Sequence, residues 1–274
     1  MRRNDHDDAT ARTELHNLGQ IAMLNQRGGR ALSIVDLIEA RTLSAEMAGL
    51  CRVLVEGGES FLTGAVPGGA GKTTLMAAIL GFLPPGEAII TAEDERTVAR
   101  VAAGKLAPPI CLLAHEIGQG TWHAYIWGKV AQQFFSLRGP GRRKVSCLHA
   151  DNPEQSREIL LRCGVRPDDM AEIGFQMFIG AFGSFSPIRR VTEMHCRLGE
   201  ELTMLYRWDT SRDSFEMLVD RGRVCEALAR RHGGSAAECS ARWDLYTEFL
   251  MGLQRAGVRD YEAVRARIVP ASRA

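Results

Sequence analysis

The chain has 274 residues, a formal net charge of +1 and a charged fraction of 24%. This length accommodates one large α/β domain with a sizeable buried core. The near-neutral charge provides no electrostatic means of wrapping nucleic acid, so we expect no nucleic-acid partner.

Hydropathy and cysteine usage indicate a cytoplasmic protein. The first residues are polar and show no hydrophobic signal segment, and no apolar run reaches the roughly 18 residues that a membrane span requires. The seven cysteines form no Cys-x-x-Cys pair, which argues against a zinc site or a disulfide framework. We therefore expect reduced cysteines and a cytoplasmic location, with peripheral docking at the membrane through a partner left open.

A glycine-rich run, TGAVPGGAGKTT over 63–74, is the most specific motif of the chain. The preceding residues 60–63 are typical of a buried strand, and residues 74–80 are typical of a core-facing helix. In such a loop the backbone N–H groups and the helix dipole bind phosphate, the lysine reaches the β- and γ-phosphates, and the first threonine reaches Mg²⁺. The alternative is a glycine-rich turn with a chance lysine. The predicted ATP-binding residues are Pro67, Gly68, Gly69, Ala70, Gly71, Lys72, Thr73 and Thr74, with Thr73 also a metal ligand.

Beyond this loop the chain alternates between strand and helix patterns. Strands are predicted over 88–92, 109–114 and 145–150, and a helix is predicted over 121–135. This rhythm is typical of a mostly parallel sheet covered by helices. Because ligands of such sheets bind at the carboxyl ends of the strands, Glu93, Glu116 and His149 are expected to converge on the glycine-rich loop. Taken singly, Glu93 is better explained as part of a helix cap, Glu116 could be a solvated loop acid, and His149 is more often a core or loop histidine. Their order and location favour the functional interpretation.

The second half of the chain is predicted to complete the core with helices and one strand pair. Residues 189–197 and 202–209 read as a hairpin with a turn at 198–201, and the rest reads as helical. The arginine-rich segment 138–144 is expected near the nucleotide edge, either contacting a neighbouring subunit's phosphates or simply solvated.

Several segments together resemble the ATPases of type II and type IV secretion and pilus assembly, in particular the archaeal and tight-adherence branch. The resemblance covers most of the chain. The PPGEAIITAEDE run at 84–95 is similar to the family's Asp box, LAHEI at 113–117 to its Walker B segment, and SCLHADNP at 146–153 to its His box. Residues 33–47, 189–194 and 253–261 are similar to its linker helix, closing strand and C-terminal helices.

The resemblance implies an α/β, RecA-like P-loop NTPase core that uses ATP and Mg²⁺. It also implies a homo-oligomer, a hexamer, driving an inner-membrane platform protein that assembles a pilus or archaellum or secretes a substrate. Glu93 would belong to the Asp box, Glu116 would activate water or position Mg²⁺, and His149 would sense the γ-phosphate. The implied layout is a polar tail at 1–30, linker helices at 31–56, an ATPase core at 57–212 and a C-terminal helical segment at 213–274.

The chain departs from the family pattern in ways that bear on catalysis. Val66 stands five residues before Gly71, where a glycine is usual, and His115 replaces a glycine beside Glu116. A charged His115 would hold that carboxylate away from water or Mg²⁺. Family members usually carry a separate N-terminal domain whose arginines complete the nucleotide site, whereas only about 65 residues precede the loop here. Either another chain supplies these arginines or the protein works differently. The alternatives are a weakly hydrolysing ATP-binding assembly or regulatory subunit and, less favoured, a small-molecule kinase.

Overall fold

The structure is a computed structural model that describes residues 2–24, 29–66 and 68–271, with the side chains of 2–7 and 271 excepted. Its helices are α1 (Arg2–Met23), α2 (Ile34–Glu39), α3 (Ala45–Glu56), α4 (Lys72–Leu80), α5 (Glu95–Ala102), α6 (Lys129–Ser136), α7 (Pro153–Arg162), α8 (Pro167–Met170), α9 (Arg221–His232), α10 (Ala236–Arg255) and α11 (Tyr261–Ala271). Its strands are β1 (Ser60–Gly64), β2 (Ala88–Thr91), β3 (Ile110–Ile117), β4 (Tyr125–Ile126), β5 (Arg142–Leu148), β6 (Ile173–Phe182), β7 (Ile188–Arg197), β8 (Leu202–Asp209) and β9 (Ser214–Met217).

All the strands join one sheet in the order β2-β3-β5-β1-β6-β7-β8-β9, and β4 pairs with β3 outside this path. The strands from β2 to β6 along this order are parallel, as is β4, while β7, β8 and β9 extend the sheet in antiparallel fashion. The predicted α/β class with a mostly parallel sheet is confirmed. This architecture is compatible with a RecA-like fold.

Alternate residues of the central strands supply two hydrophobic clusters, because successive side chains of a strand face opposite sides. Phe61 and Phe175 belong to the larger cluster, which includes buried residues of α3, α4 and α10. Leu62 and Phe178 belong to the other cluster, which includes residues of α6 and α7. The central strands are therefore covered on both faces, which explains why β3 is buried along its whole length. The seven cysteines are buried and free, as expected for reduced thiols.

The predicted hairpin is confirmed as β7 and β8, but three sequence-based assignments are wrong. The helix predicted over 121–135 begins only at Lys129, because Gly128 has φ of 56° and the preceding Tyr125–Ile126 pairs with β3. The helical segment expected from 213 starts with β9, and β6 adds a strand that the sequence reading did not predict. β6 is held by pairing with β1 and β7, and β9 by pairing with β8. Neither strand was predicted, because strand pairing is not visible in a local sequence pattern.

The arginine-rich segment 138–144 does not lie at the nucleotide edge, where the sequence predicted it. It leads into the beginning of β5, where Arg142 pairs with Ile110 at the beginning of β3. Parallel strands share a direction, so this segment lies at the amino edge of the sheet, opposite the glycine-rich loop. Arg143 is buried there and pairs with Glu87 at 2.7 Å.

The N-terminal stretch, expected to be a polar tail, contains α1, which lies along the edge strand β2. The Asn17 side chain donates to the Glu87 carbonyl and accepts from the Ile89 N–H, both at 2.8 Å. It thereby satisfies backbone groups that an edge strand would otherwise expose. The helices α2 and α3 occupy the expected linker segment. Within the described residues, no helix is long and apolar enough to cross a membrane.

Candidate functional site

The glycine-rich loop connects β1 to α4 through two glycines in the left-handed region. Gly69 has φ of 85° and Gly71 has φ of 112°, a conformation that residues with a side chain rarely adopt. Gly71 is the N-cap of α4 and contributes no side-chain hydrogen bond there. The first N–H groups of this helix thus lack intrahelical partners and are suited to an anion. Pro67, the first of the predicted loop residues, lies outside the described residues.

Lys72 begins α4 and has its ammonium group at the carboxyl ends of β1 and β5. Its side chain is buried, and its Nζ lies 3.6 Å from Glu116 Oε2 and 3.2 Å from His149 Nδ1. The same nitrogen lies 3.5 Å from the carbonyl oxygen of Ala65 in the loop. The sequence-predicted lysine, acid and histidine are therefore brought together at one point.

Glu116 is the acid at the centre of this cluster, and its carboxylate contacts three side chains. Oε1 lies 2.8 Å from His149 Nε2, and Oε2 accepts a hydrogen bond of 3.3 Å from the Tyr125 hydroxyl. Burial, and secondarily the adjacent Glu116 carboxylate, raise the pKa of the Tyr125 phenol. Tyr125 was not predicted as a site residue, because the sequence placed it in a helix rather than on β4.

The backbone N–H and carbonyl groups of Val66, in the glycine-rich loop, both contact side chains that follow β5. Its N–H donates to Asp151 Oδ1 at 2.8 Å, and its carbonyl oxygen lies 3.1 Å from His149 Nδ1. Val66 does not belong to the residues with positive φ, so a branched side chain is compatible with this backbone. The missing glycine therefore does not prevent the loop from forming.

A cavity of about 830 Å³ opens at this point. It extends from the loop and the Lys72 cluster to the beginning of α2 and to Arg189 and Arg190 on β7. Ala70, by contrast, is buried in the core. The predicted site residues that line the cavity are Gly68, Gly69, Gly71, Lys72, Thr73, Thr74, Glu116 and His149.

Glu93 lies apart from this cluster. Its side chain is 57% exposed, lies 3.9 Å from His123 Nε2 and does not line the cavity. The neighbouring Asp94 is the N-cap of α5 and accepts a 2.8 Å hydrogen bond from the Thr97 N–H. The structure thus gives Asp94 the capping role that acidic residues at this position suggest.

The expectation of a charged His115 beside Glu116 is wrong. His115 is buried, and burial together with the neighbouring His123 lowers its pKa from 6.5 to about 4. The ring is therefore neutral near pH 7. Its ring centroid lies 5.1 Å from that of His123, in an edge-to-face arrangement.

The same cavity is lined by two oxygen-bearing side chains that are candidate ligands of Mg²⁺. Thr73 and Glu116 supply the oxygen donors that this ion prefers. The described residues contain no group of three or more His, Cys, Asp or Glu side chains able to hold a metal by themselves. Phosphate oxygens and water would therefore complete its coordination.

No protein-family model matches this chain, and no curated protein matches it in sequence.

Proposed function

We propose that the chain binds ATP with Mg²⁺ in the cavity at the glycine-rich loop and hydrolyses it. The observation that carries this proposal is the meeting of Lys72, Glu116 and His149 beside a loop with two left-handed glycines. This combination supplies N–H donors, a buried cation and a carboxylate. Phosphoryl transfer depends on such positioning and charge neutralisation more than on covalent chemistry.

Each residue has a distinct part in the proposed reaction. The loop N–H groups and Lys72 bind the phosphates. The Thr73 hydroxyl and, through a water molecule, Glu116 would hold Mg²⁺, which would neutralise phosphate charge. Glu116 orients the attacking water and accepts its proton. His149, within 3.2 Å of Lys72 and 2.8 Å of Glu116, reports on the terminal phosphate by exchanging these contacts for a phosphate oxygen.

The sequence resemblance extends this proposal to a motor subunit of the P-loop NTPase class. On that basis the chain forms a homo-oligomeric ring, a hexamer, on the cytoplasmic face of a membrane. The ring energises pilus or archaellum assembly, or type II or type IV protein secretion, through an inner-membrane platform protein. A separate chain would supply the arginines that the family's N-terminal domain contributes to the nucleotide site.

One observation favours a second candidate, an ATP-binding assembly or regulatory subunit that hydrolyses poorly. Glu116 is buried and is engaged simultaneously by His149, Lys72 and Tyr125, so a water molecule has to compete with these contacts for the carboxylate. If that displacement is unfavourable, the site binds ATP with little turnover.

Calorimetry and a steady-state assay on the purified chain distinguish these candidates. The motor proposal predicts saturable ATP binding that requires Mg²⁺, turnover that the platform partner stimulates, and a shift toward a ring in sedimentation with Mg-ATP. Tight binding without turnover, even with the partner, favours the regulatory subunit. If ATP does not bind at all, both candidates are wrong.

A further inference from the structure

We propose that Arg189 binds the α- and β-phosphates of the nucleotide, from the side of the loop opposite Glu116 and His149. This inference rests on the proposed function and adds a residue that neither the loop motif nor the acid and histidine motifs include. It assigns to this chain one of the phosphate-neutralising cations that the sequence resemblance assigns to a separate domain.

The first support is the position of Arg189 against the loop. Its Nη2 lies 3.5 Å from the Gly69 carbonyl oxygen, and a Cβ placed on Gly71 would lie 3.3 Å from Arg189 Cδ. Arg189 also lines the cavity that contains Lys72 and Thr73. Its aliphatic stem therefore passes over Gly71, the N-cap of α4, which brings the guanidinium within reach of a phosphate held by the loop.

The second support is that Arg189 has no anionic partner among the residues that the structure describes. No carboxylate of the described residues lies within 4.0 Å of its guanidinium, whose hydrogen bonds go to the carbonyl oxygens of Pro187 and Gly69 at 3.5 Å each. Bonds of this length are weak and easily exchanged for a charged acceptor. The adjacent Arg190, in contrast, pairs with Asp213 at 2.7 and 2.9 Å.

The third support is the way in which Arg190 fixes the backbone of Arg189. Arg190 Nη1 donates to the Arg189 carbonyl oxygen at 2.9 Å and to the Ala40 carbonyl oxygen at 3.0 Å. Asp213, which holds the other side of this guanidinium, also accepts a 3.0 Å hydrogen bond from Trp208 Nε1. The Arg190 guanidinium keeps the pKa of Asp213 well below its usual range. Arg189 thus extends from a rigid support, which lowers the entropy lost when it binds a ligand.

The sheet order indicates which phosphates Arg189 reaches. His149 and Glu116 belong to the β5 and β3 side of β1, whereas Arg189 lies on β7, beyond β6 on the other side. Because Lys72, Glu116 and His149 mark the place of the terminal phosphate, Arg189 faces the phosphates nearer the ribose. ATP and ADP share these phosphates, so both nucleotides should depend on Arg189 equally.

The test compares Arg189→Gln and Arg189→Lys with the parent chain and with Arg207→Gln. Arg207 is an exposed arginine on β8 that pairs with the exposed Glu216 and does not line the cavity, so it controls for loss of a surface charge. Calorimetry measures ATP and ADP affinities, and steady-state kinetics separates KM from kcat. We expect Arg189→Gln to weaken both nucleotides about tenfold, to raise KM to a similar extent and to leave kcat within about twofold.

The lysine variant and the control complete the test. Arg189→Lys keeps the charge but not the two-pronged guanidinium and should recover only part of the affinity, whereas Arg207→Gln should match the parent. Unchanged ATP and ADP affinities in Arg189→Gln overturn the inference while leaving the proposed function standing. A loss confined to ATP, or a fall in kcat at constant affinity, overturns the assignment to the inner phosphates. If the parent chain binds no nucleotide, the proposed function fails first, and this inference fails with it.

Discussion

His149 Nε2 lies 2.8 Å from Glu116 Oε1, although 32 residues separate these two along the chain. The contact follows from the sheet, because Leu148 at the end of β5 pairs with Ile117 at the end of β3. The acid and the histidine that the sequence predicted at this site therefore form one hydrogen-bonded unit. Any ligand that engages one of them also affects the other.

Removal of the loop lysine should weaken ATP binding. We expect Lys72→Ala to lower ATP affinity tenfold or more, because a charge-assisted contact to phosphate is lost from a buried position. Calorimetry measures the change. Lys105→Ala, which removes an exposed lysine outside the cavity, serves as the matched control and should bind as the parent does. Equal affinities for Lys72→Ala and the parent would rule out Lys72 as a phosphate ligand.

Neutralising Glu116 should separate binding from turnover. We expect Glu116→Gln to lower kcat by about 10² to 10⁴ while ATP affinity changes little, because a positioned base typically contributes that much. Glu93→Gln is the informative comparison, since the exposed Glu93 does not line the cavity and should affect kcat much less. If the two variants have the same kcat, Glu116 is not the base.

Two glycines of the loop allow a matched test of its conformation. Gly71→Ala would force a side chain into φ of 112° and against Arg189 and Ile179, whereas a Cβ on Gly68 would meet no atom within 4 Å. We expect Gly71→Ala to cost about 1 to 2 kcal/mol in the free energy of unfolding and to weaken ATP binding. Gly68→Ala should leave both close to the parent. Denaturant unfolding and calorimetry provide the two measurements, and similar behaviour of both variants would contradict the required left-handed conformation.

The buried His115 should make the folded state sensitive to acid. Its pKa is about 4 in the folded chain and 6.5 as an ordinary histidine, so the unfolded chain binds an additional proton between these pH values. The free energy of unfolding should therefore fall by on the order of 3 kcal/mol through this group as the pH decreases from 6.5 to 4.

Urea unfolding of the parent and of His115→Gln at several pH values isolates the contribution of His115 to the pH dependence of stability. His115→Gln should show a shallower loss of stability between pH 6.5 and 4 than the parent. His123→Gln, which changes the exposed neighbour, should keep most of the parent's dependence. Identical pH profiles for His115→Gln and the parent would show that His115 is not held neutral by the fold.

Local patterns predicted the strands and helix around the glycine-rich loop, the parallel sheet and the β7 and β8 hairpin. These features depend on signals within a short window, such as apolar runs and glycine placement. The sequence also led to Lys72, Glu116 and His149 as partners, because parallel strands bring their carboxyl ends together. For these features, local sequence patterns and the shared carboxyl edge of parallel strands were sufficient.

Only the tertiary structure decided the remaining features of the site. Tyr125 reaches Glu116 because β4 pairs with β3, and Arg189 reaches the loop because β6 and β7 follow β1 in the sheet. Nor does the sequence show that His115 is neutral, since its pKa depends on its burial in the folded chain and on the neighbouring His123. Contacts between distant segments and the desolvation that they produce are properties of the packed chain, so they are absent from any local pattern.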